Sequence, residues 1–243
     1  MEKISLQKIK WLRSFRIKKN RDESSVFIVE GEKIVSEIIH NYPEKIHFVL
    51  SSQELHEQMQ LHRFENAFIG SVSDFDKVSN LSTPSKILAV ISKFEAKEIQ
   101  KNKPIIVLDG IQDPGNLGTI IRTADWFGFD QIVCSENTVD FYNTKVIKAS
   151  MGSIFRVNLK YQNLPNFLKT LKCPIHGALL HGKDLNSLNE NEMKVLVLGS
   201  EGKGISEDVI PLITDFVSIP GAGRAESLNV GVATGIFLNH WTR

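Results

Sequence analysis

Two cysteines, Cys134 and Cys173, are all the thiol chemistry in this chain of 243 residues, and they lie far apart in sequence. That spacing excludes a disulfide framework and a zinc cluster, so no metal site is expected. Long apolar runs are missing as well. None approaches the ~20 residues that cross a bilayer, so no membrane partner is expected. The opening MEKISLQKIKW is charged from its second residue and lacks the apolar core of a secretory signal. The expected setting is a reduced, cytoplasmic one. Two common glycine signatures are also absent. Gly199, Gly202 and Gly204 carry the reverse of the G-x-G-x-x-G spacing, and Gly221-Ala222-Gly223 meets Glu226 where the third glycine belongs. A Walker loop read from Gly199 reaches Gly204 and then finds Ile205 instead of lysine. Nicotinamide and phosphate-hydrolysing chemistry are thereby disfavoured.

What remains is an ordinary globular composition, 42% hydrophobic, with room for one large or two small domains. The net charge is only +1, but it is unevenly spread. Residues 1–21 hold Lys3, Lys8, Lys10, Arg13, Arg16, Lys18, Lys19 and Arg21 against Glu2 alone. A basic segment on a near-neutral protein reads either as a footprint for nucleic acid or as a solvated helix face.

Along the chain, apolar periodicity predicts a helix over 5–15 with Leu6, Ile9, Leu12 and Phe15 inward. Strands are predicted at 26–29, 46–50, 67–69 and 87–91, with helices at 33–40, 53–61 and 73–78, the last capped by Ser73. This alternation predicts an α/β domain with a largely parallel sheet. The charged stretch 93–104 ends at Pro104 and marks a boundary near residue 97, dividing the chain into 1–96 and 97–243.

In the second half, a strand at 105–108 leads through Asp109–Gly115 to a helix with Asn116 at its N-cap and Gly128 just past its end. Further strands are predicted at 131–134, 175–180, 194–198 and 215–219, and helices at 144–151, 164–171 and 208–213. A closing helix presents Val232, Ala233, Ile236 and Phe237 at helical spacing. Three stretches, 109–122, 196–204 and 217–230, each run from a strand into a glycine-bearing loop. In an open parallel sheet such loops converge beyond the carboxyl ends of the strands.

Taken in order, the three stretches resemble the signature motifs of the SpoU family of RNA ribose 2′-O-methyltransferases. Asn116-x-Gly118 with Arg122 is similar to the first motif, and Leu198-Gly199-x-Glu201-Gly202 to the second. Ile219-Pro220 followed by Glu226-Ser227-Leu228-Asn229-Val230 is similar to the third. Lys148-Ala149-Ser150-Met151-Gly152 resembles the connecting segment, and Lys18-Lys19…Arg21 with Phe27-Ile28-Val29-Glu30-Gly31 resembles the substrate-binding domain of many members. Two positions depart: Gly221 stands where methionine is usual, and Gly231 where serine is.

The resemblance implies a trefoil-knotted, parallel-sheet methyltransferase domain at 97–243 and a smaller α/β RNA-binding domain at 1–96. It implies S-adenosylmethionine as donor, with Gly199, Ile219 and Leu228 at the donor-contacting positions. The acceptor it implies is a ribose in structured RNA, ribosomal RNA by analogy with relatives bearing this first domain. The same chemistry on transfer RNA, or a non-catalytic RNA-binding protein keeping the fold, are the alternatives. A homodimer through the C-terminal domain is implied as well. Arg122 is the residue the family assigns to the hydroxyl proton, and Asn116, Glu201, Ser227 and Asn229 are the other polar site residues. A guanidinium has a pKa above ~12, so an electrostatic role suits Arg122 better than that of a base.

Overall fold

A computed structural model describes residues 2–188 and 194–242. In chain order the first elements are α1 (Leu6–Ser14), α2 (Lys18–Glu23), β1 (Val26–Glu30), α3 (Glu32–Asn41), β2 (Ile46–Ser51), α4 (Gln53–Gln58), β3 (Ala67–Ile69), α5 (Val72–Val78) and β4 (Ile87–Ser92). There follow β5 (Ile105–Asp109), α6 (Pro114–Trp126), β6 (Gln131–Cys134), α7 (Thr144–Ser150), β7 (Asn158–Tyr161), α8 (Leu164–Leu168), β8 (Ile175–Asp184), β9 (Val195–Gly199), β10 (Asp215–Ser218) and α9 (Val230–Trp241). The contacts divide the chain into two compact units. One is Met1–Glu95 with Asp140–Gly152, the other Ala96–Val139 with Ser153–Arg243. A contiguous division near residue 97 was expected; here the segment carrying α7 packs with the first unit.

The first unit is built on a four-stranded sheet in the order β1-β4-β2-β3. β4 runs antiparallel to both β1 and β2, and only β2 and β3 are parallel. The expectation of a largely parallel sheet is therefore corrected for this unit. The chain enters β4 from β3, at the far edge of the sheet, and inserts it between β1 and β2, which alternation of elements alone does not reveal. One core gathers Ile9, Leu12 and Phe15 of the first helical segment against Phe48, Leu50, Phe68 and Leu88. Leu6, expected inward, is 74% exposed, and Ile4, just before α1, packs against that core. α5 is capped by Ser71 instead of Ser73, through a reciprocal box with Asp74.

α2 has no apolar residue, which is why periodicity misses it. Its turns are held by Lys18–Asp22 and Lys19–Glu23 at i,i+4 spacing, 2.7 and 3.9 Å apart. Its inward residue is Arg21, 7% exposed, whose Nε donates to Asp140 Oδ2 at 2.8 Å. Nη1 of the same guanidinium donates to the Phe15 and Arg16 carbonyls. Arg21 is thus a structural charge, not part of a basic surface.

The second unit holds a six-stranded sheet, β10-β8-β9-β5-β6-β7, parallel throughout. β5 and β9 are buried on both faces, as their unbroken aliphatic runs dictate. The chain leaves β5 toward β6 and β7 on one side, and fills β8, β9 and β10 on the other. The strand order thus reverses between β5 and β9. Edge strand β7, NLKY, is too short and polar to be legible. Residues 208–213 form only a 3-10 turn at Ile210–Leu212.

α9 packs on α6 at close range. A Cβ on Gly231 would lie 2.9 Å from Thr119 Cγ2, and one on Gly235 3.7 Å from Thr123 Cγ2. The buried stripe of α9 is accordingly Val230, Gly231, Thr234, Phe237 and Leu238. Val232 and Ile236, expected inward, face out. Small residues bring this helix in, and the apolar spacing misleads. Among the described residues no helix is long and apolar enough to cross a membrane.

Candidate active site

At the reversal point Asp109, ending β5, pairs in register with Gly199, ending β9. Loops after these two strands therefore emerge side by side, where open parallel sheets hold ligands. Gly110, at φ +70°, turns the chain out of β5, and its N–H donates to Ser135 Oγ at 2.8 Å. Asp113 then caps α6, its Oδ1 accepting from Asn116 N at 2.9 Å, with Pro114 in the first turn. The expected cap, Asn116, is displaced from that role. It lies one turn inside the helix, and its side chain is released for other partners.

Those partners come from the other two motifs. Asn116 Nδ2 donates to Glu201 Oε1 at 3.0 Å, and Asn116 Oδ1 accepts from Asn229 Nδ2 at 2.9 Å. Asn229 Nδ2 also donates to Glu201 Oε1 at 2.6 Å, and Val230 N approaches the same oxygen at 3.4 Å. Asn229 Oδ1 meanwhile caps α9, accepting from Gly231 N and Val232 N at 3.0 and 3.4 Å. The Glu201 carboxylate so sits at the N-terminus of α9, where the helix dipole favours a negative charge. Three loops, 28 to 113 residues apart in sequence, close into one hydrogen-bonded triangle.

Glu201 is presented by a tight loop. Ser200 and Gly204 exchange backbone hydrogen bonds of 3.1 and 2.8 Å. Gly199 lets that loop fold back. A Cβ there would stand 2.1 Å from Gly204 C and 2.3 Å from Ile205 N, so the space its side chain lacks is filled by the chain's own backbone. Asp109 Oδ2 fastens the return of the loop, accepting from Ser206 N at 2.7 Å and Ser206 Oγ at 2.6 Å. A cleft of about 660 Å³ opens between the loops, lined by Gln112, Asn116, Asn137, Glu201, Lys203 and Val230 among others.

The remaining expected residues stand apart from the triangle. Arg122 lies six residues beyond Asn116, about 9 Å along the axis and on another face of α6. It is exposed and makes no hydrogen bond or ion pair with the described residues. Ser227 is likewise exposed and unbonded among them. Ile219 is half-buried and Leu228 is 46% exposed. No described residue hydrogen-bonds to the backbone of 221–228. That run of free backbone donors and acceptors beside two aliphatic side chains suits an adenosine-bearing ligand. Asp109 and Asp113 were missed from sequence. For Asp113 the signal was present, since Asp-Pro is a cap followed by a first-turn proline.

The SpoU rRNA Methylase family matches residues 103–239, and the MRM3-like substrate binding domain matches residues 7–89. The chain is 32% identical to the 23S rRNA (guanosine(2553)-2′-O)-methyltransferase RlmP of Bacillus subtilis, over 99% of its own length and 98% of the relative's. Among solved structures, an AdoMet-bound rRNA methyltransferase from Sinorhizobium meliloti superposes with a TM-score of 0.84 and 27% identity, covering 99% of this chain and 96% of that one. The SpoU methyltransferase AviRb of Streptomyces viridochromogenes, solved with AdoMet, shares the fold at a TM-score of 0.83 and 20% identity, covering 98% and 97% of the two chains.

Proposed function

The chain belongs to the SpoU rRNA methylase family, and from that membership we propose that it methylates a ribose 2′-hydroxyl in structured RNA, using S-adenosylmethionine as donor. Ribosomal RNA is the proposed acceptor, in keeping with the named activity of a relative similar over nearly its whole length. A cytoplasmic setting goes with that substrate. The observation that carries the reading is the triangle of Asn116, Glu201 and Asn229, which joins the three motif loops at the reversal of the sheet.

When bound, the donor supplies an electrophilic methyl on a sulfonium. The chain's own residues then have three tasks. Ile219, Leu228 and the unpaired backbone of 221–228 hold and wall the donor. Glu201, fixed by Asn116 and Asn229, keeps the loops at one spacing, so that the reacting oxygen and methyl are aligned. Gly199 acts on the donor through the shape of its loop. Arg122, exposed and without a carboxylate partner among the described residues, is available to an RNA phosphate or to the oxygen as it loses its proton, and would lower that hydroxyl's effective pKa. Ser227 lies two residues before Asn229 and is the polar group placed to accompany it.

A trefoil knot in the second unit is supported by its all-parallel sheet and its fold likeness to the SpoU methyltransferase AviRb. A homodimer through this unit is supported by exposed Trp126, Leu228, Val232 and Ile236, and by an Arg122 that its own chain leaves outside the triangle. The test is methyl transfer to ribosomal RNA taken from a strain lacking this protein. Wild type should methylate one ribose. Arg122→Ala should lose roughly a hundredfold or more in turnover at unchanged donor affinity, and Arg122→Lys should recover only part. Wild type inert on that RNA would overturn the function, and full activity in Arg122→Ala would overturn the residue's role.

A further inference from the structure

The segment around α7 has no part in the site just described. Within the first unit it borders a cleft of about 780 Å³ together with Arg16 and the turn after α5. Lys145 and Lys148, three apart on α7, both line it and neither is paired among the described residues. Arg16 faces them with its guanidinium held by backbone carbonyls. Nε donates to Val78 O at 3.3 Å, and Nη2 to Asp76 O at 3.4 Å and to Ser79 O. Carbonyls fix the plane of the guanidinium but do not neutralise its charge. Asn80 and Ser82 add neutral polar groups, and among the described residues no carboxylate lines the cleft. Glu30, behind Ser79, is buried and spent on Ser79 Oγ and Ser85 N.

The basic segment of residues 1–21 looks different once its partners are counted. Lys18 and Lys19 are paired with Asp22 and Glu23, Arg21 is buried against Asp140, and Lys8 sits 3.4 Å over the Phe68 ring. Arg16 is the member of that segment that joins two free lysines in a concave, cation-lined site.

We propose that this cleft, lined by Arg16, Lys145 and Lys148, grips the phosphodiester backbone of the RNA substrate. The inference rests on the methyltransferase reading for the identity of its ligand. With no aromatic ring among the described residues of the lining for bases to stack on, the cleft holds phosphates and positions the RNA without reading its sequence.

The test uses the full chain and deproteinised large-subunit ribosomal RNA as probe, with affinity measured across a salt series. Lys145→Gln/Lys148→Gln should lower the log–log salt slope by roughly 1.5 and weaken binding roughly tenfold at physiological salt. Lys33→Gln/Lys86→Gln, removing the same charge from outside the cleft, should move the slope much less. Thermal melts followed by circular dichroism should agree among the three proteins and report that each is folded, and S-adenosylmethionine affinity, read by calorimetry, should be the same in all three. An unchanged slope in the cleft variant, or an equal fall in both variants, overturns the proposal. A fall confined to the cleft variant upholds it even if wild type binds no donor, and that last result would count against the methyltransferase reading alone.

Discussion

Replacing Gly199 by alanine asks whether this glycine makes room for a ligand or for the protein itself. The added Cβ would stand 2.1 Å from Gly204 C, 2.3 Å from Ile205 N and 2.4 Å from Gly204 O, all backbone atoms. Reaching an ordinary carbon–carbon separation of about 3.5 Å requires the two runs of backbone to part by more than about 1 Å. That movement stretches the Ser200–Gly204 pair of hydrogen bonds, now 3.1 and 2.8 Å, beyond useful length. Two backbone bonds at about 1 kcal/mol each and the strain of overpacking give a loss of roughly 3 kcal/mol. For a protein of this size the melting temperature should fall by roughly 6–12 °C. Gly202→Ala is the control, because a Cβ there meets nothing within 4 Å and the same loop should tolerate it. Thermal melts followed by circular dichroism, with donor titration by calorimetry on each variant, supply both readouts. A Gly199→Ala protein that melts within about 2 °C of wild type yet no longer binds donor would refute the reasoning and return this glycine to the ligand.

Asn229→Ala removes both the cap of α9 and a donor to Glu201, and should cost about 1 kcal/mol of stability beside its loss of turnover. Asn229→Asp keeps a capping oxygen but sets a second carboxylate against Glu201, so it should melt near wild type and still be impaired. Equal melting of the two variants would remove the capping role. Arg21→Ala strands buried Asp140 and should cost about 3–5 kcal/mol, whereas Arg21→Met with Asp140→Leu should cost far less; urea midpoints for the pair decide it. Burial, joined by the charge of His62, holds His56 below its ordinary value of 6.5. The folded state then refuses a proton that the unfolded chain takes. Stability is full above pH 6.5 and falls as the pH drops below it. Between about pH 7.5 and 5.5, wild type should lose more melting temperature than His56→Gln, and equal losses would dismiss the effect.

Sequence periodicity read the core strands well because parallel strands buried on both faces must be continuous aliphatic runs, as in β5 and β9. It failed where burial is not apolar. α2 turns inward on an arginine, and α9 approaches α6 through Gly231 and Gly235. The triangle was legible only as three separate motifs. Each of Asn116, Glu201 and Asn229 stands out within its own motif, but their mutual bonds follow from strand order, which no local spacing encodes. The identity of the α6 cap was recoverable from Asp113-Pro114, and moving it by three residues is what frees Asn116 for the site.

The buried pair of Arg21 and Asp140 sets an order on how the protein is made. Asp140 leaves the ribosome well after residue 95, the last of the first unit's long stretch. At about 5–20 residues per second, the ribosome needs roughly 3–11 s more to add the 57 residues from 96 through Gly152. During that interval the nascent first unit has a strand sheet but a guanidinium with no counter-charge, and Phe27 has no Tyr142 ring against it. The early domain therefore stays ajar until part of the later sequence arrives, and a truncation after residue 96 removes a piece of its interior.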